Sequence, residues 1–324
     1  MPLLPDSNYV KRPFYLRNGH LETIIPSLFF KVDAPGYQRE RLELADGDFL
    51  DLDWLRAKGN NRLLVISHGL EGSSDRHYVR RTASYFHSKG WNVLAWNCRS
   101  CSGEMNRLPQ FYHHGATEDL AAVIDSALEN NPYKRVVLLG VSMGGSMSIK
   151  YVGEDRKISR KIKAVVSYSV PCNLKDSADQ LKLKSNRFYE KRFVRKLIEK
   201  VKMKSEEHPQ IDIKHIDQIS DFDAFHERFT LPIYGFSSMS EFFESASCDT
   251  YFDGLSIPVL VCNANNDPLL GDKCYPREYA TMSEFLTLEV PHFGGHVGFS
   301  LSSDTNTYME YRTDSFLRSF GISA

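Results

Sequence analysis

The sequence predicts an α/β fold with a mostly parallel central sheet flanked by helices. Short continuous apolar runs, typical of strands covered on both faces, recur along the 324 residues. Segments with apolar residues at helical spacing lie between them, so strands and helices alternate. This alternation stops over residues 171–254 and then resumes, which predicts a helical cap (171–254) inserted into a core made of residues 1–170 and 255–324.

The first half of the chain shows the alternation most clearly. Aromatic residues and Pro26 near the start indicate an irregular N-terminal arm, residues 1–36, that packs on the domain. Alternating apolar and polar residues on both sides of Asp46-Gly47 predict a β-hairpin. The expected elements, in chain order, are strands 39–44, 49–55 and 63–67, helix 78–88, strand 91–96, helix 117–130, strand 136–139, helix 146–153 and strand 163–170.

The predicted cap contains a basic amphipathic helix. Lysine and arginine crowd residues 182–204, and apolar residues recur among them at helical spacing. We favour a solvated basic face over a core-facing apolar stripe, and the alternative is contact with anionic lipid. The elements expected after the cap are strand 258–262, helix 276–282, strand 287–290 and a final helix near residues 308–320.

Composition argues against a nucleic-acid-binding protein, a secreted protein and a membrane-spanning protein. The net charge of −1 offers no basic field for nucleic acid, so no nucleic-acid partner is expected. The six scattered cysteines are typical of free thiols in a reducing compartment. The first residues lack the features of a signal peptide, and no apolar run reaches the roughly 18 residues of a membrane-spanning helix. We therefore expect a cytoplasmic protein.

The candidate nucleophile is Ser142. It follows the apolar run that begins at Val136, and with Gly140 and Gly144 it forms the pattern G-x-S-x-G at a strand-to-helix turn. Such a sharp turn exposes the serine oxygen and needs neighbours without a Cβ. The pattern therefore predicts a nucleophile elbow.

A serine nucleophile needs a base and an acid, which in this kind of fold follow it in the order acid, then histidine. Asp267 fits the acid because it comes directly after strand 258–262, and Asp272 is its rival. His296 fits the base because the glycines before it let a loop approach Ser142, whereas His292 follows the last strand too closely.

The spacing of His292 and His296 also invites a zinc site on one helical face. Pro291, Gly294 and Gly295 argue against a helix there, so we expect no metal site. Catalysis by a serine nucleophile with a histidine base requires no metal and no cofactor, so none is expected.

The oxyanion of an acyl-transfer intermediate needs two donors. The backbone N–H of Met143 is one candidate, and that of Leu70, in the glycine-flanked loop after strand 63–67, is the other. Gly69, Phe229 and Phe236 are the candidate substrate contacts, although core packing accounts for cap aromatics equally well.

Together these motifs resemble the α/β-hydrolase superfamily, and within it the YheT-like esterase branch, which is related to eukaryotic α/β-hydrolase-domain lipases and fungal medium-chain acyltransferase/esterases. Two positions depart from the pattern of the branch, namely Glu22, where glutamine is usual, and Ser100, where glycine is frequent. The stretches that carry the resemblance are Asn18-Gly19-His20-Leu21, His68-Gly69-Leu70-Glu71-Gly72, Cys101-Ser102-Gly103-Glu104 with Asn106-Arg107, Gly140 to Gly145, Arg228-Phe229-Thr230, Gly235-Phe236, Asn266-Asp267-Pro268 and Gly294 to Phe299.

The resemblance implies an α/β-hydrolase fold with Ser142, Asp267 and His296 as a catalytic triad acting on carboxylic esters. The predicted function is a serine carboxylesterase for short- to medium-chain esters, with acyl transfer to alcohols as a related outcome. The alternatives are a lipase or phospholipase acting on membrane lipids, and a non-catalytic binding protein with this fold. The expected partner is a small-molecule ester or a lipid, and peripheral membrane contact through the basic cap helix stays open.

Overall fold

The computed structural model describes residues 3–4, 7, 9, 12–129, 131–302 and 304–322. The strands are β1 Leu3–Leu4, β2 Gln38–Glu43, β3 Phe49–Leu55, β4 Arg62–Ser67, β5 Asn92–Trp96, β6 Arg135–Val141, β7 Ile162–Tyr168, β8 Val259–Cys262 and β9 Leu286–Glu289. The described α-helices are α1 Gly19–Phe29, α2 His77–Ser88, α3 Thr117–Glu129, α4 Met143–Gly153, α5 Leu174–Leu181, α6 Arg187–Glu207, α7 Phe222–Phe225, α8 Leu231–Tyr234, α9 Met239–Ala246, α10 Arg277–Met282 and α11 Tyr308–Ser319.

The strands form one nine-stranded sheet in the order β1-β9-β8-β7-β6-β4-β5-β3-β2. β3 runs antiparallel to β2 and β5, and the other neighbouring pairs in the described sheet are parallel. This arrangement confirms the predicted fold class. Because parallel strands end at the same edge of a sheet, the loops that follow β4, β6, β8 and β9 meet there.

Alternate residues of the central strands enter two different hydrophobic clusters. Leu138 and Val165 pack on one face of the sheet, and their neighbours Leu139 and Val166 pack on the other. Both faces are therefore covered, which explains why these strands are continuously apolar rather than alternating. Each predicted core element is present, with ends that shift by no more than three residues. Asn130, the predicted end of one helix, lies outside the described residues.

The prediction that the N-terminal arm, residues 1–36, is irregular is wrong for residues 19–29, which form α1. The side chain of Asn18 caps this helix by accepting a hydrogen bond from the Leu21 N–H at 2.9 Å. Pro26 lies inside the helix and has no N–H to donate, so one turn lacks a bond. Tertiary contacts of the first turns, described below, offset that loss. The arm positions outside the described residues are 1–2, 5–6, 8 and 10–11.

The segment predicted as a cap contains α5 to α9, and no strand is described within it. It has its own apolar cluster, separate from the two clusters of the sheet, in which Val194 and Val201 of α6 pack with Phe222, Phe225 and Phe229. The cap aromatics thus have a packing role of their own.

α6 does not present all its basic residues to solvent, contrary to the favoured interpretation of a solvated basic face. The apolar stripe of Val194, Leu197 and Val201 is buried as predicted. Lys204 is also buried, and its Nζ donates to the carbonyl oxygen of Asn106 at 3.0 Å and to that of Leu108. Burial lowers the pKa of Lys204 to about 8.

All six cysteines are buried free thiols. Among the described helices, none is both long and apolar enough to cross a bilayer.

Candidate active site

Ser142 occupies the turn between β6 and α4 with φ 55° and ψ −121°, a strained conformation for a residue that carries a Cβ. The glycines beside it are required by close backbone contacts. A Cβ on Gly140 would lie 2.2 Å from the carbonyl oxygen of Gly144, and a Cβ on Gly144 would lie 2.2 Å from that of Ser67. The turn is therefore possible only with glycine at both positions, which is the physical content of the G-x-S-x-G pattern.

The structure brings Ser142, His296 and Asp267 into one hydrogen-bonded chain. His296 Nε2 lies 2.9 Å from Ser142 Oγ, and His296 Nδ1 lies 2.8 Å from Asp267 Oδ2. The other carboxylate oxygen of Asp267 accepts from the Leu269 N–H at 2.9 Å. With its Nδ1–H directed to Asp267, the ring leaves Nε2 free to accept the serine proton.

The two rivals lie elsewhere. Asp272 is exposed at the start of the 3-10 turn Asp272–Cys274, and His292 is exposed before the glycine pair.

The loop that carries His296 is shaped by residues with positive φ, among them Gly294 at 138° and Gly295 at 54°. Val297 also has positive φ, 67°, and its N–H donates to Ser169 Oγ at 3.0 Å. This backbone geometry turns the His296 side chain towards Ser142.

α1 buttresses this loop, a role that reasoning from the sequence missed. Thr23 Oγ1 accepts from the His296 N–H at 2.8 Å. A Cβ on Gly19 would lie 1.8 Å from the Asn266 carbonyl oxygen, so the helix packs directly on the acid loop. The buried Glu22 hydrogen-bonds to both loops. Two features of the sequence could have indicated this role of α1: Asn18, a good helix-capping residue, and Glu22, which stands where glutamine is expected.

The backbone N–H groups on either side of Leu70 are engaged in hydrogen bonds. The N–H of Gly69 donates to Tyr78 Oη at 2.9 Å, and that of Glu71 donates to Tyr112 Oη at 2.8 Å. Within the described part of the chain, no acceptor is bonded to the N–H of Leu70 or to that of Met143, the first residue of α4. Leu70 lines both cavities at Ser142, and Met143 follows Ser142 in the chain, so both amides keep their place as candidate oxyanion donors.

His68 fixes the conformation of the loop that carries Leu70, and its ring is not free for proton transfer at Ser142. Its Nδ1–H donates to the Gly69 carbonyl oxygen at 2.8 Å, and its Nε2 accepts from the Cys98 N–H at 3.1 Å. Burial lowers the pKa of His68 to about 4, which keeps the ring neutral near pH 7.

Two cavities meet at Ser142, and Leu70, Phe193, Leu269 and His296 line both. The outer chamber, of about 110 Å³, is further lined by Thr23, Ile24, Ser27, Leu28, Gly69, Glu71, Arg76, His77, Tyr78, Phe188, Tyr189, Arg192, Lys196 and Val297. The inner chamber, of about 60 Å³, lies under the cap and is further lined by His114, Pro171, Leu174, Ser177, Ala178, Leu181, Phe222, His226 and Phe243.

Of the three candidate substrate contacts, the structure places only Gly69 in a chamber. Phe229 packs against Phe225 within the cap cluster, with ring centroids 5.3 Å apart, and Phe236 packs against His113 at 5.7 Å. The aromatic side chains that do reach the inner chamber are Phe193, Phe222 and Phe243. Pattern alone does not separate these from the packing aromatics.

A comparison with family models decides the family. Residues 59–276, more than half of the chain, match the model Hydrolase_4, described as serine aminopeptidase, S33. The chain belongs to the Hydrolase_4 family. It is a hydrolase of the α/β-hydrolase superfamily, as predicted. The matched range includes Ser142 and Asp267 and ends before His296.

Curated relatives place this Hydrolase_4 member in the YheT-like branch. It is 27% identical over 289 residues to "Putative esterase YheT" of Escherichia coli (strain K12), covering 87% of this chain and 84% of that protein. It is 26% identical over 307 residues to phospholipase ABHD3 of Homo sapiens, covering 90% and 74%. It is 27% identical over 246 residues to monoacylglycerol lipase of Saccharomyces cerevisiae, covering 73% and 54%.

Solved structures agree on the fold. The Pyrococcus furiosus esterase Pf2001 superposes with a TM-score of 0.57 at 19% identity, covering 87% of this chain and 92% of that one. The Pyrococcus horikoshii acylaminoacyl peptidase gives 0.57 at 14% identity, covering 88% and 40%. At these identities the likeness concerns the fold alone.

Within the described residues, no group of histidine, cysteine, aspartate or glutamate side chains is arranged to hold a metal ion.

Proposed function

We propose that this hydrolase is a serine carboxylesterase that cleaves short- to medium-chain carboxylic esters through an acyl-enzyme. The observation that carries the proposal is the hydrogen-bonded chain from Ser142 Oγ through His296 to Asp267, with separations of 2.9 and 2.8 Å. A serine hydroxyl is a weak nucleophile near neutral pH, and an adjacent oriented imidazole removes that limitation.

In the proposed reaction, Ser142 Oγ attacks the ester carbonyl carbon while His296 Nε2 takes its proton. Asp267 stabilises the imidazolium that forms, and the Leu70 and Met143 amides bind the oxyanion. The ester C–O bond then breaks as His296 passes the proton to the leaving alcohol. Water, deprotonated in turn by His296, attacks the acyl carbon, and the bond from that carbon to Ser142 Oγ breaks as His296 returns the proton to Oγ and the acid leaves. An alcohol in place of that water would give acyl transfer.

The chambers support an assignment of the two halves of the substrate. The inner chamber is largely apolar, with Leu174, Phe222 and Phe243 in its wall, and suits an acyl chain. The outer chamber, which includes Gly69, is left for the alcohol half. We also infer that residues 171–254 act as a cap over the core of residues 1–170 and 255–324, since α5 supplies much of the lining of the inner chamber and α6 much of that of the outer one.

The test is turnover of p-nitrophenyl butyrate together with labelling by a fluorophosphonate probe. Replacement of Ser142 by alanine is expected to abolish labelling and to lower kcat by at least about 10⁴-fold. Ser146→Ala is the matched control, because this buried hydroxyl lies one turn further along α4 without a hydrogen-bond partner among the described residues. Turnover retained in Ser142→Ala would refute the proposal.

A second candidate function is a lipase that works at a lipid surface. Leu28 and Phe188 line the outer chamber and are 47% and 54% exposed. Phe29, which follows Leu28 on α1, is 69% exposed. Exposed apolar residues around a site entrance are a common means of membrane contact. Sedimentation with phosphatidylcholine vesicles should fall in a Phe29→Ser, Phe188→Ser variant, whereas an absence of binding by the parent protein would remove this candidate.

A further inference from the structure

The outer chamber carries an excess of positive charge. Arg76, which immediately precedes α2, and Arg192 and Lys196 of α6 all line it. Arg192 and Lys196 are four residues apart and so lie on one face of α6. Their helical spacing explains why part of the basic sequence of the cap faces the active site rather than solvent.

These three cations lack carboxylate partners. Across the described residues none of them forms an ion pair, and Arg76 makes one side-chain hydrogen bond, from its Nη2 to Ser27 Oγ at 3.0 Å. Glu71 is the acidic residue in the chamber wall, and it already forms an ion pair with Lys200, whose Nζ lies 2.8 Å from Glu71 Oε1. The unpaired charge is therefore available to a ligand.

The cations also stand close enough to repel one another. Burial lowers the pKa of Lys196, and Arg76 and Arg192 lower it further, against the opposing effect of Glu71. A bound anion would relieve that repulsion, because each guanidinium can direct two N–H groups at a carboxylate or phosphate.

We propose that the outer chamber binds an anionic group, carboxylate or phosphate, on the alcohol half of the ester substrate. This inference rests on the proposed esterase function and specifies its substrate class. Arg76, Arg192 and Lys196 hold the anion, and the acyl chain enters the inner chamber. When the ester C–O bond breaks and His296 protonates the alcohol oxygen, the product that leaves is an anionic alcohol, and the acyl group stays on Ser142 until water releases it.

The decisive measurement compares two esters that share an acyl group and differ in charge. The butyryl ester of para-hydroxybenzoate carries a carboxylate, and the butyryl ester of methyl para-hydroxybenzoate does not. The proposal expects the ratio of their kcat/KM values to favour the anionic ester by roughly 10-fold or more at low salt, and to fall as salt rises. A ratio at or below one would exclude a carboxylate as the bound anion.

Variants of the chamber residues test whether these residues cause the preference for the anionic ester. Arg192→Met and Lys196→Met should each reduce that ratio by about 10-fold, and using the ratio cancels any general loss of activity. Arg195→Gln is the matched control, since this arginine lies on the same helix but is 71% exposed and pairs with Glu199. A ratio that drops equally in Arg195→Gln would contradict a role for the chamber.

Two further experiments distinguish the source of the anion. Monobutyrin against butyryl glycerol phosphate tests a free phosphate ester, and phosphatidate in phosphatidylcholine vesicles tests a lipid headgroup. Sensitivity to Arg192→Met in either case supports the proposal, and insensitivity in both, with no preference for the carboxylate ester, refutes it. If the parent protein hydrolyses neutral esters without such preference, the esterase function stands and this inference alone fails.

Discussion

Glu22 Oε2 accepts a hydrogen bond of 2.6 Å from the side chain of Asn266, the residue that precedes Asp267. The same oxygen accepts from the Gly294 N–H at 3.2 Å, two residues before His296. One buried carboxylate on α1 thus joins the loop of the proposed acid to the loop of the proposed base. The distance between those two loops sets the hydrogen bond on which the reaction would depend.

Replacing Glu22 should therefore impair catalysis without altering substrate binding. In Glu22→Ala the two loops lose their shared acceptor, and we expect kcat to fall by about 10- to 100-fold with KM changed little. Glu22→Gln keeps one oxygen for both donors and should be milder. Kinetics with p-nitrophenyl butyrate would measure this, with the exposed Glu284→Ala as control. A rise in KM with kcat unchanged in Glu22→Ala would contradict a positioning role.

A second prediction concerns the contact between the cap and the oxyanion loop. Glu71 accepts from Lys200 Nζ at 2.8 Å and from Tyr112 Oη at 2.6 Å, directly beside Leu70. Lys200→Met leaves a buried carboxylate without its cation and should release the Leu70 amide from its position. We expect kcat to fall by about 10-fold and the melting temperature to drop.

Lys200→Arg keeps the charge and should recover most of the kcat lost in Lys200→Met. The control is Lys202→Met, because Lys202 pairs with Asp217 at the surface of the same helix. A loss of melting temperature without any loss of kcat would show that Lys200 supports the cap alone.

An element of this fold is predictable from the sequence when local sequence features stabilise it, and not when contacts with residues distant in sequence do so. The sheet was predictable because burial on both faces makes its strands continuously apolar. Ser142 was predictable because close backbone contacts demand glycines at fixed positions, and Asp267 and His296 follow ordered strands. α1 was not, since Pro26 opposes a helix locally and the compensating contacts come from loops distant in sequence. For Phe229, the sequence shows an aromatic residue in the cap but does not show whether its side chain packs in the cap cluster or lines a chamber.

The buried His68 predicts a loss of stability in mild acid. The unfolded chain binds a proton at this histidine near its usual pKa of 6.5, whereas burial lowers the folded pKa to about 4. The unfolded state then holds more protons, so the free energy of unfolding decreases as pH falls below 6.5. The decrease is at most about 1.4 kcal/mol per pH unit for this residue and ends near pH 4.

Urea unfolding of the parent and of His68→Gln between pH 7.5 and 5 would measure that contribution, because other titrating groups cancel in the difference. The stability gap between the two proteins should narrow as pH falls. Parallel curves for the parent and His68→Gln would contradict the assignment of a neutral buried ring.

The contact of Gly19 with the acid loop gives the last prediction. A Cβ at Gly19 would lie 1.8 Å from the Asn266 carbonyl oxygen, so Gly19→Ala must displace α1 or the loop that carries Asp267. We expect a destabilisation on the order of 3 kcal/mol together with a fall in kcat. Gly36→Ala is the control, since Gly36 has φ 74° but nothing within 4 Å, and should cost about 1 kcal/mol with kcat unchanged. If Gly19→Ala matched Gly36→Ala in both stability and kcat, the close packing of α1 on the acid loop would not be needed for the site.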